Sequence, residues 1–217
     1  MRFQLSGPLP KECNVAVSGG PDSMAVLHWL TKGAKDRIKN IIHVDHGTGE
    51  FANSARIVTR DYVKSLGLED LFRVHYINTA RPKYQSKEHF WREQRLQFFS
   101  LYQEYPTVTA HNLDDCVEEY IMNKMVRFGP GNTIKYNGPS NVARPFRCWT
   151  KMDMKLYCKE NKVPYLDDPS NEDIRFTRNR IRRIIVPNLL SLNPGLFNQV
   201  RKMILKEETV TRFSSVG

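Results

Sequence analysis

No stretch of this 217-residue chain is apolar for the roughly 20 residues that a bilayer-crossing helix needs. The opening Met1-Arg2-Phe3-Gln4-Leu5 also lacks the long apolar core of a secretory leader. A cytoplasmic protein with no membrane partner is expected. Cysteine is scarce: Cys13, Cys116, Cys148 and Cys158 contain no C-x-x-C pair, which argues against a zinc ribbon or a redox motif. Repeats and low-complexity tracts are absent. So is the G-K-[S/T] ending of a Walker A loop. Acidic residues are outnumbered, 23 Asp and Glu against 33 Lys and Arg, for a net charge of +10. Such an excess suits a polyanionic partner, because phosphate contacts supply most non-specific nucleic-acid affinity. Its placement is more informative than its size. Arg175, Arg178, Arg180, Arg182 and Arg183 crowd into one segment near the C-terminal end.

Short apolar runs alternate with helical patterns along most of the chain, which predicts an α/β fold: a doubly wound, mostly parallel sheet with a short helical C-terminal extension. Strands are expected at 13–17, 40–44, 71–77 and 106–110. Helices are expected from about Met24, over 53–66 with Gly67 as its C-cap, over 86–102, over 114–128 and near 151–158. Gly129-Pro130-Gly131-Asn132 reads as a helix break and 137–145 as a loop. Pro187 and Pro194 divide the C-terminal stretch into short helices, and Ser214 to Gly217 reads as a frayed end. These elements describe one catalytic domain over 1–190 and a short helical tail over 191–217.

Four constellations carry chemistry. Ser18-Gly19-Gly20-Pro21-Asp22-Ser23 joins the first strand to the first helix, where an open parallel sheet places its ligands. Its glycines let the backbone approach an anion, and the helix adds the positive end of its dipole. A carboxylate facing a triphosphate is repelled unless Mg²⁺ lies between them, which makes Asp22 a metal-ligand candidate. The plainer account is a strand–turn–helix with a Ser/Asp cap. His111-Asn112-Leu113-Asp114-Asp115-Cys116-Val117-Glu118 stands at a second strand-to-helix junction. Spacings of three and four bring its carboxylates toward one face, as a Mg²⁺ site at Asp114 and Asp115 or a general base requires, although acids favour a helix N-terminus in any case. Arg92 and Arg95 lie one turn apart, as a solvated basic face or as neutralisers of phosphate charge. His43 and His46 close the second strand, a place that lines the nucleotide crevice, although such pairs are more often structural. Finally, Asp168-Pro169-Ser170-Asn171 leads into Arg178-Asn179-Arg180-Ile181-Arg182-Arg183. These arginines suit RNA phosphates and base edges, or ion pairs with Asp167, Asp168, Glu172 and Asp173.

In this order the motifs resemble the catalytic domain of the tRNA(Ile)-lysidine synthetase family within the PP-loop ATP pyrophosphatases. The match includes Ser18 to Ser23, His43 to Gly47, the Arg92/Arg95 helix, Thr109 to Asp115, Arg144-Pro145-Phe146, and Asp168 to Asn171 with Arg178-Asn179-Arg180. It runs from about Val15 to Pro194. The resemblance implies ATP and Mg²⁺, an isoleucine tRNA with a CAU anticodon, and free L-lysine. ATP adenylates the C2 oxygen of wobble cytidine 34 with release of pyrophosphate. The lysine ε-amine then displaces AMP, leaving lysidine. It assigns catalysis to Asp22, Arg92, Arg95, Asp115 and Glu118, and ATP binding to Ser18 to Ser23 with His43 and His46. Contact with tRNA falls to His111, Asp168, Asn171, Arg175, Arg178, Asn179, Arg180 and Arg183.

Departures from the family pattern are Asn112 in place of a second histidine, Glu119 in place of a threonine, and an expanded turn at Arg127-Phe128-Gly129-Pro130-Gly131. The family's C-terminal domains are also absent, so the chain reads as a minimal form that relies on its arginine cluster or on homodimerisation for tRNA affinity. Two alternatives stay open. One is a PP-loop enzyme using another nucleophile such as sulfur, against which the missing C-x-x-C pair argues. The other is a catalytically silent tRNA-binding module.

Overall fold

The computed structural model describes residues 4–47, 49–129 and 133–214. Six strands form one sheet: β1 (Cys13–Ala16), β2 (Ile38–Asp45), β3 (Phe72–Tyr76), β4 (Thr107–Val108), β5 (Asn137–Gly138) and β6 (Val142–Ala143). Their order is β3-β2-β1-β4-β6-β5, parallel except for the β5–β6 pair. Eight α-helices connect or follow them: α1 (Pro21–Gly33), α2 (Glu50–Ser65), α3 (Lys87–Ser100), α4 (Leu113–Ile121), α5 (Lys151–Glu160), α6 (Thr177–Arg180), α7 (Val186–Leu192) and α8 (Leu196–Ser214). Among the described residues no helix is long and apolar enough to cross a membrane.

Successive side chains of a strand point to opposite faces, and β2 uses both. Ile41 joins a core with α1, α5 and Val63 of α2, whereas Ile42 packs with Phe98 and Phe99 of α3. Helices therefore cover both faces, as expected of a doubly wound sheet. The buried Asn14 of β1 is fully employed. It donates to the carbonyls of Tyr102 and Tyr105 at 2.8 and 2.9 Å and accepts from Asn40 at 2.9 Å, fixing the end of α3 to the sheet.

Three segments differ from the sequence reading. The expected loop at 137–145 contains the β5–β6 hairpin, whose turn places Ser140 and Asn141 at φ of 54° and 55°. Two-residue strands with no apolar alternation leave little trace in a sequence. The single helix expected over 114–128 ends as α4 at Ile121 and widens into a π-turn over Met122–Val126. A second π-turn, Ile181–Ile185, separates α6 from α7 just before Pro187, which has no N–H to continue the α ladder. Beyond Pro194, α8 is a 19-residue helix, and its Leu196, Val200 and Ile204 are buried against Leu113, Val117 and Ile121 of α4. Residues 130–132 of the expected helix break and 215–217 of the expected frayed end lie outside the described residues.

Gly19 is the position where the fold depends on glycine. Its φ is +84°, and an added Cβ would stand 3.0 Å from the Ala55 carbonyl oxygen of α2. Strain and collision act together there. Gly19→Ala is expected to lower the unfolding free energy by about 2–4 kcal/mol in urea titration. Gly33→Ala, with nothing within 4 Å of its added methyl group, is expected to be neutral or stabilising.

Candidate active site

Strand order reverses at β1, which has β2 on one side and β4 on the other. Such a switch point leaves a crevice beyond the carboxyl ends of the two strands. A cleft of about 840 Å³ opens there. Its walls come from the loop after β1, from α3, from the β4–α4 junction and from the β5–β6 hairpin.

The loop at 18–23 is braced from within. The Ser18 N–H donates to Ser23 Oγ at 3.0 Å, the two serine hydroxyls lie 3.1 Å apart, and Ser23 Oγ donates to the Gly20 carbonyl at 3.1 Å. The Leu166 N–H holds the Gly19 carbonyl at 2.9 Å, so the chain after α5 supports the loop from outside. Gly20 is the N-cap of α1 and supplies no side-chain acceptor, and Pro21 occupies the first turn. The first N–H groups of a helix have no intrahelical carbonyl, so this end of α1 presents donors and a positive dipole to the cleft.

Four carboxylates stand near this end, in different states. Asp114 is taken up by the backbone: its Oδ2 accepts from the Lys151 N–H at 2.8 Å, which turns it toward α5 and away from the cleft lining. Glu118 is 2% exposed and accepts from Arg182 Nε at 2.5 Å. Asp115 lines the cleft. Its Oδ2 accepts from the Asn112 N–H at 3.1 Å in a capping box, and its Oδ1 lies 3.6 Å from Arg182. Asp22 Oδ1 is buried and has no partner among the described residues. Burial raises its carboxyl to about 7, with Lys151 opposing and Asp115 adding to the rise. An uncompensated, hard oxygen donor at a phosphate-binding helix end fits a divalent cation. Among the described residues, no three His, Cys, Asp or Glu side chains group closely enough to hold an ion alone. Asp22 and Asp115 therefore fit a cation that takes its remaining ligands from substrate phosphates and water, as Mg²⁺ commonly does.

The family described as the PP-loop domain matches residues 5–189, which span this loop and the whole sheet. The chain belongs to the PP-loop family. Among curated proteins it is similar to the tRNA(Ile)-lysidine synthase of Lactiplantibacillus plantarum, 32% identical over 198 residues. It is also similar to that of Bacillus subtilis, 34% identical over 204 residues. These alignments cover 86% and 87% of this chain but 44% and 43% of the relatives. The chain thus spans less than half the length of these curated relatives. Among solved structures it resembles the U34-tRNA thiolase NcsA from Methanococcus maripaludis, with a TM-score of 0.70, 16% identity, and coverage of 91% of this chain and 72% of that one. At that identity the likeness is one of fold.

Around the PP-loop, the expected site residues divide. Ser18, Asp22, Ser23, His46, Arg92, Arg95, His111, Asp115 and Arg178 all border the cleft. His46 packs against Trp91 with ring centroids 4.9 Å apart and the planes tilted by 60°, and burial, with Arg95 beside it, lowers its ring to about 4. Burial likewise lowers His111, whose Nδ1 sits 2.9 Å from Thr109 Oγ1. Both rings are neutral at physiological pH. His43, expected at the nucleotide, is 2% exposed and meets the Val17 carbonyl at 2.9 Å, so it braces β2 against β1 instead. Glu118, expected to handle protons, lies behind the cleft wall. In the arginine block, Asn179 is a buried staple donating to the carbonyls of Ser170 and Asp173, both at 2.9 Å. Arg175 pairs with Asp173 and Arg183 with Glu172, which favours local ion pairing over RNA contact for these two. Asp168 caps the 3-10 turn Pro169–Glu172, and the Asn171 carbonyl accepts from Arg183. Arg180 is exposed.

Sequence reasoning missed Arg182, the counter-charge between Asp115 and Glu118. Arg144, quoted only within the family match, and Arg127, noted only as part of the expanded turn, border the far wall together with Lys135. Glu119, noted only as a departure, joins two cleft arginines: Arg127 and Arg178 each donate to it at 2.9 Å.

Asp22 makes stability depend on pH. Its folded carboxyl holds a proton to about 7, against an ordinary value of 3.8. The folded state therefore binds more protons between those values, and stability falls as pH rises through them. Asp22→Asn removes that dependence. In denaturant titrations of the metal-free protein, D22N is expected to gain about 2–4 kcal/mol over wild type at pH 8 and little at pH 4. Equal stabilities at pH 8 would mean that Asp22 has a counter-charge after all.

Proposed function

We propose that this cleft adenylates the C2 oxygen of wobble cytidine 34 in an isoleucine tRNA with a CAU anticodon, and then joins free L-lysine to form lysidine. The observation that carries the reading is the unpartnered Asp22 oxygen at the uncapped end of α1, in a chain matched over most of its length by proteins named tRNA(Ile)-lysidine synthase. The C2 oxygen attacks the α-phosphorus of ATP, the α–β bond breaks, and pyrophosphate leaves. The ε-amine then attacks C2, the C2–oxygen bond breaks, and AMP leaves with that oxygen.

Each step makes a demand that named residues meet. The PP-loop N–H groups and the Ser18 hydroxyl hold phosphate oxygens, while Ser23 braces the loop from within. Asp22 and Asp115 would hold Mg²⁺, which when bound would supply positive charge to offset that of the departing pyrophosphate. Arg92 and Arg95 of α3 border the same cleft and bring fixed positive charge to the transferring phosphoryl group. Neutral His46 and His111 add donors or acceptors without further charge. The lysine ammonium must shed a proton before attacking; of Asp115 and Glu118, the two carboxylates that suit this role, Asp115 borders the cleft, which supports its taking that proton. Net charge of +10, with Arg178 at the cleft and Arg180 exposed, favours the phosphates of an RNA substrate.

The test supplies ATP, Mg²⁺, labelled lysine and unmodified isoleucine tRNA with a CAU anticodon, followed by digestion of the RNA. Labelled lysidine is the expected product. AMP without lysine incorporation would show a different nucleophile, and no ATP consumption with any tRNA would contradict the enzymatic reading. In the same assay Asp22→Ala is expected to lower pyrophosphate release by about 100-fold or more while leaving tRNA affinity within about threefold. Loss of tRNA binding instead would mean that Asp22 serves the RNA.

A further inference from the structure

The far wall of the cleft holds a cation that neither reaction step employs. Arg144 follows β6 and borders the cleft opposite the PP-loop. Its Nη1 donates to the Lys135 carbonyl at 2.9 Å, while its Nε is buried with no partner among the described residues. Its charged neighbours are cations, Arg147 and Arg92, and burial together with those two lowers it to about 10. The acid on this side, Glu119, is engaged by Arg127 and Arg178. Gly138 of β5 lies against the guanidinium so closely that a Cβ there would overlap it. A half-buried guanidinium with a buried, unpartnered Nε and no carboxylate is costly, and an incoming anion relieves that cost.

The geometry points to Arg144 as the binding site for the α-carboxylate of the amino-acid substrate. With Nη1 taken by Lys135, the guanidinium edge that carries Nε remains, and that edge pairs side-on with a planar carboxylate. The phosphates of ATP are provided for across the cleft by the PP-loop and α1. Arg144 and Asp115 border the same cleft, so an amino acid held at Arg144 by its carboxylate has its amine end in the cavity that Asp115 lines. The inference rests on the lysidine-forming reading and adds how that reaction selects an amino acid over a simple amine.

The experiment compares lysine with 1,5-diaminopentane, the same amine without the carboxylate, as nucleophiles in the complete reaction. Wild type is expected to favour lysine by on the order of 10- to 100-fold in kcat/KM, expressed mainly in KM. Arg144→Gln is expected to raise the KM for lysine by a similar factor and leave the KM for the diamine within about twofold. Arg144→Lys, which keeps a cation but not the fork, is expected to fall between them. Equal use of both amines by wild type overturns the inference without depending on any variant, and leaves the proposed function standing. Parallel rises for both amines in R144Q, or a raised KM for tRNA with lysine unaffected, also overturn it, the latter assigning Arg144 to an RNA phosphate. A wild-type protein that joins neither amine overturns both the inference and the proposed function.

Discussion

Four carboxylates, Asp22, Asp114, Asp115 and Glu118, stand near the point where the strand order reverses, and the groups that answer them tie the surrounding chain together. Three have partners in the protein, although Glu118 Oε2, like Asp22 Oδ1, is buried without one among the described residues. The Lys151 N–H meets Asp114, the Asn112 N–H meets Asp115, and Arg182 stands between Asp115 and Glu118. Meeting these demands ties α4 to α5 and to the segment after α6. Asp22 is left with an unpartnered oxygen at the positive end of α1. A chain built for stability alone gains nothing from that arrangement, because an uncompensated buried carboxyl is destabilising at neutral pH. A phosphate-bound cation, as proposed above, would turn it into a ligand.

The two π-turns belong to the same arrangement. Met122–Val126 follows Glu118 and Glu119, and Ile181–Ile185 contains Arg182. Widened helical turns redirect the side chains next to them. Arg127, beyond the first, returns to Glu119, and Arg182, inside the second, reaches two residues of α4. The far wall obeys a different constraint. There Arg144 has the cations Arg147 and Arg92 as its charged neighbours, and the acid on that wall, Glu119, is engaged by Arg127 and Arg178.

Much of this was legible in the sequence because it is local. Alternating strand and helix patterns, the Gly19-Gly20 turn and the acid cluster after β4 all reside in short windows, and the fold class followed from them. The rest depends on partners far apart in the chain. His43 reads as a crevice residue until the Val17 carbonyl, 26 positions earlier, is seen to hold it. Nothing in a run of five arginines marks Arg182 as the one whose partners lie 64 and 67 residues earlier, at Glu118 and Asp115. Neighbouring Asp114 and Asp115 look equivalent, but the phase of α4 turns one toward α5 and the other into the cleft. One signal was present and unused: Asn112-x-x-Asp115 is a capping-box spacing and fixes that phase.

The central claim is that the base oxygen, and not the amine or a protein side chain, attacks ATP in this cleft. Oxygen transfer tests it directly. Isoleucine tRNA carrying ¹⁸O at C2 of cytidine 34 is incubated with the protein, ATP, Mg²⁺ and lysine, and the released AMP is analysed by mass spectrometry. The account predicts one ¹⁸O atom in AMP for every lysidine formed and none in pyrophosphate. Unlabelled AMP accompanying lysidine would contradict it.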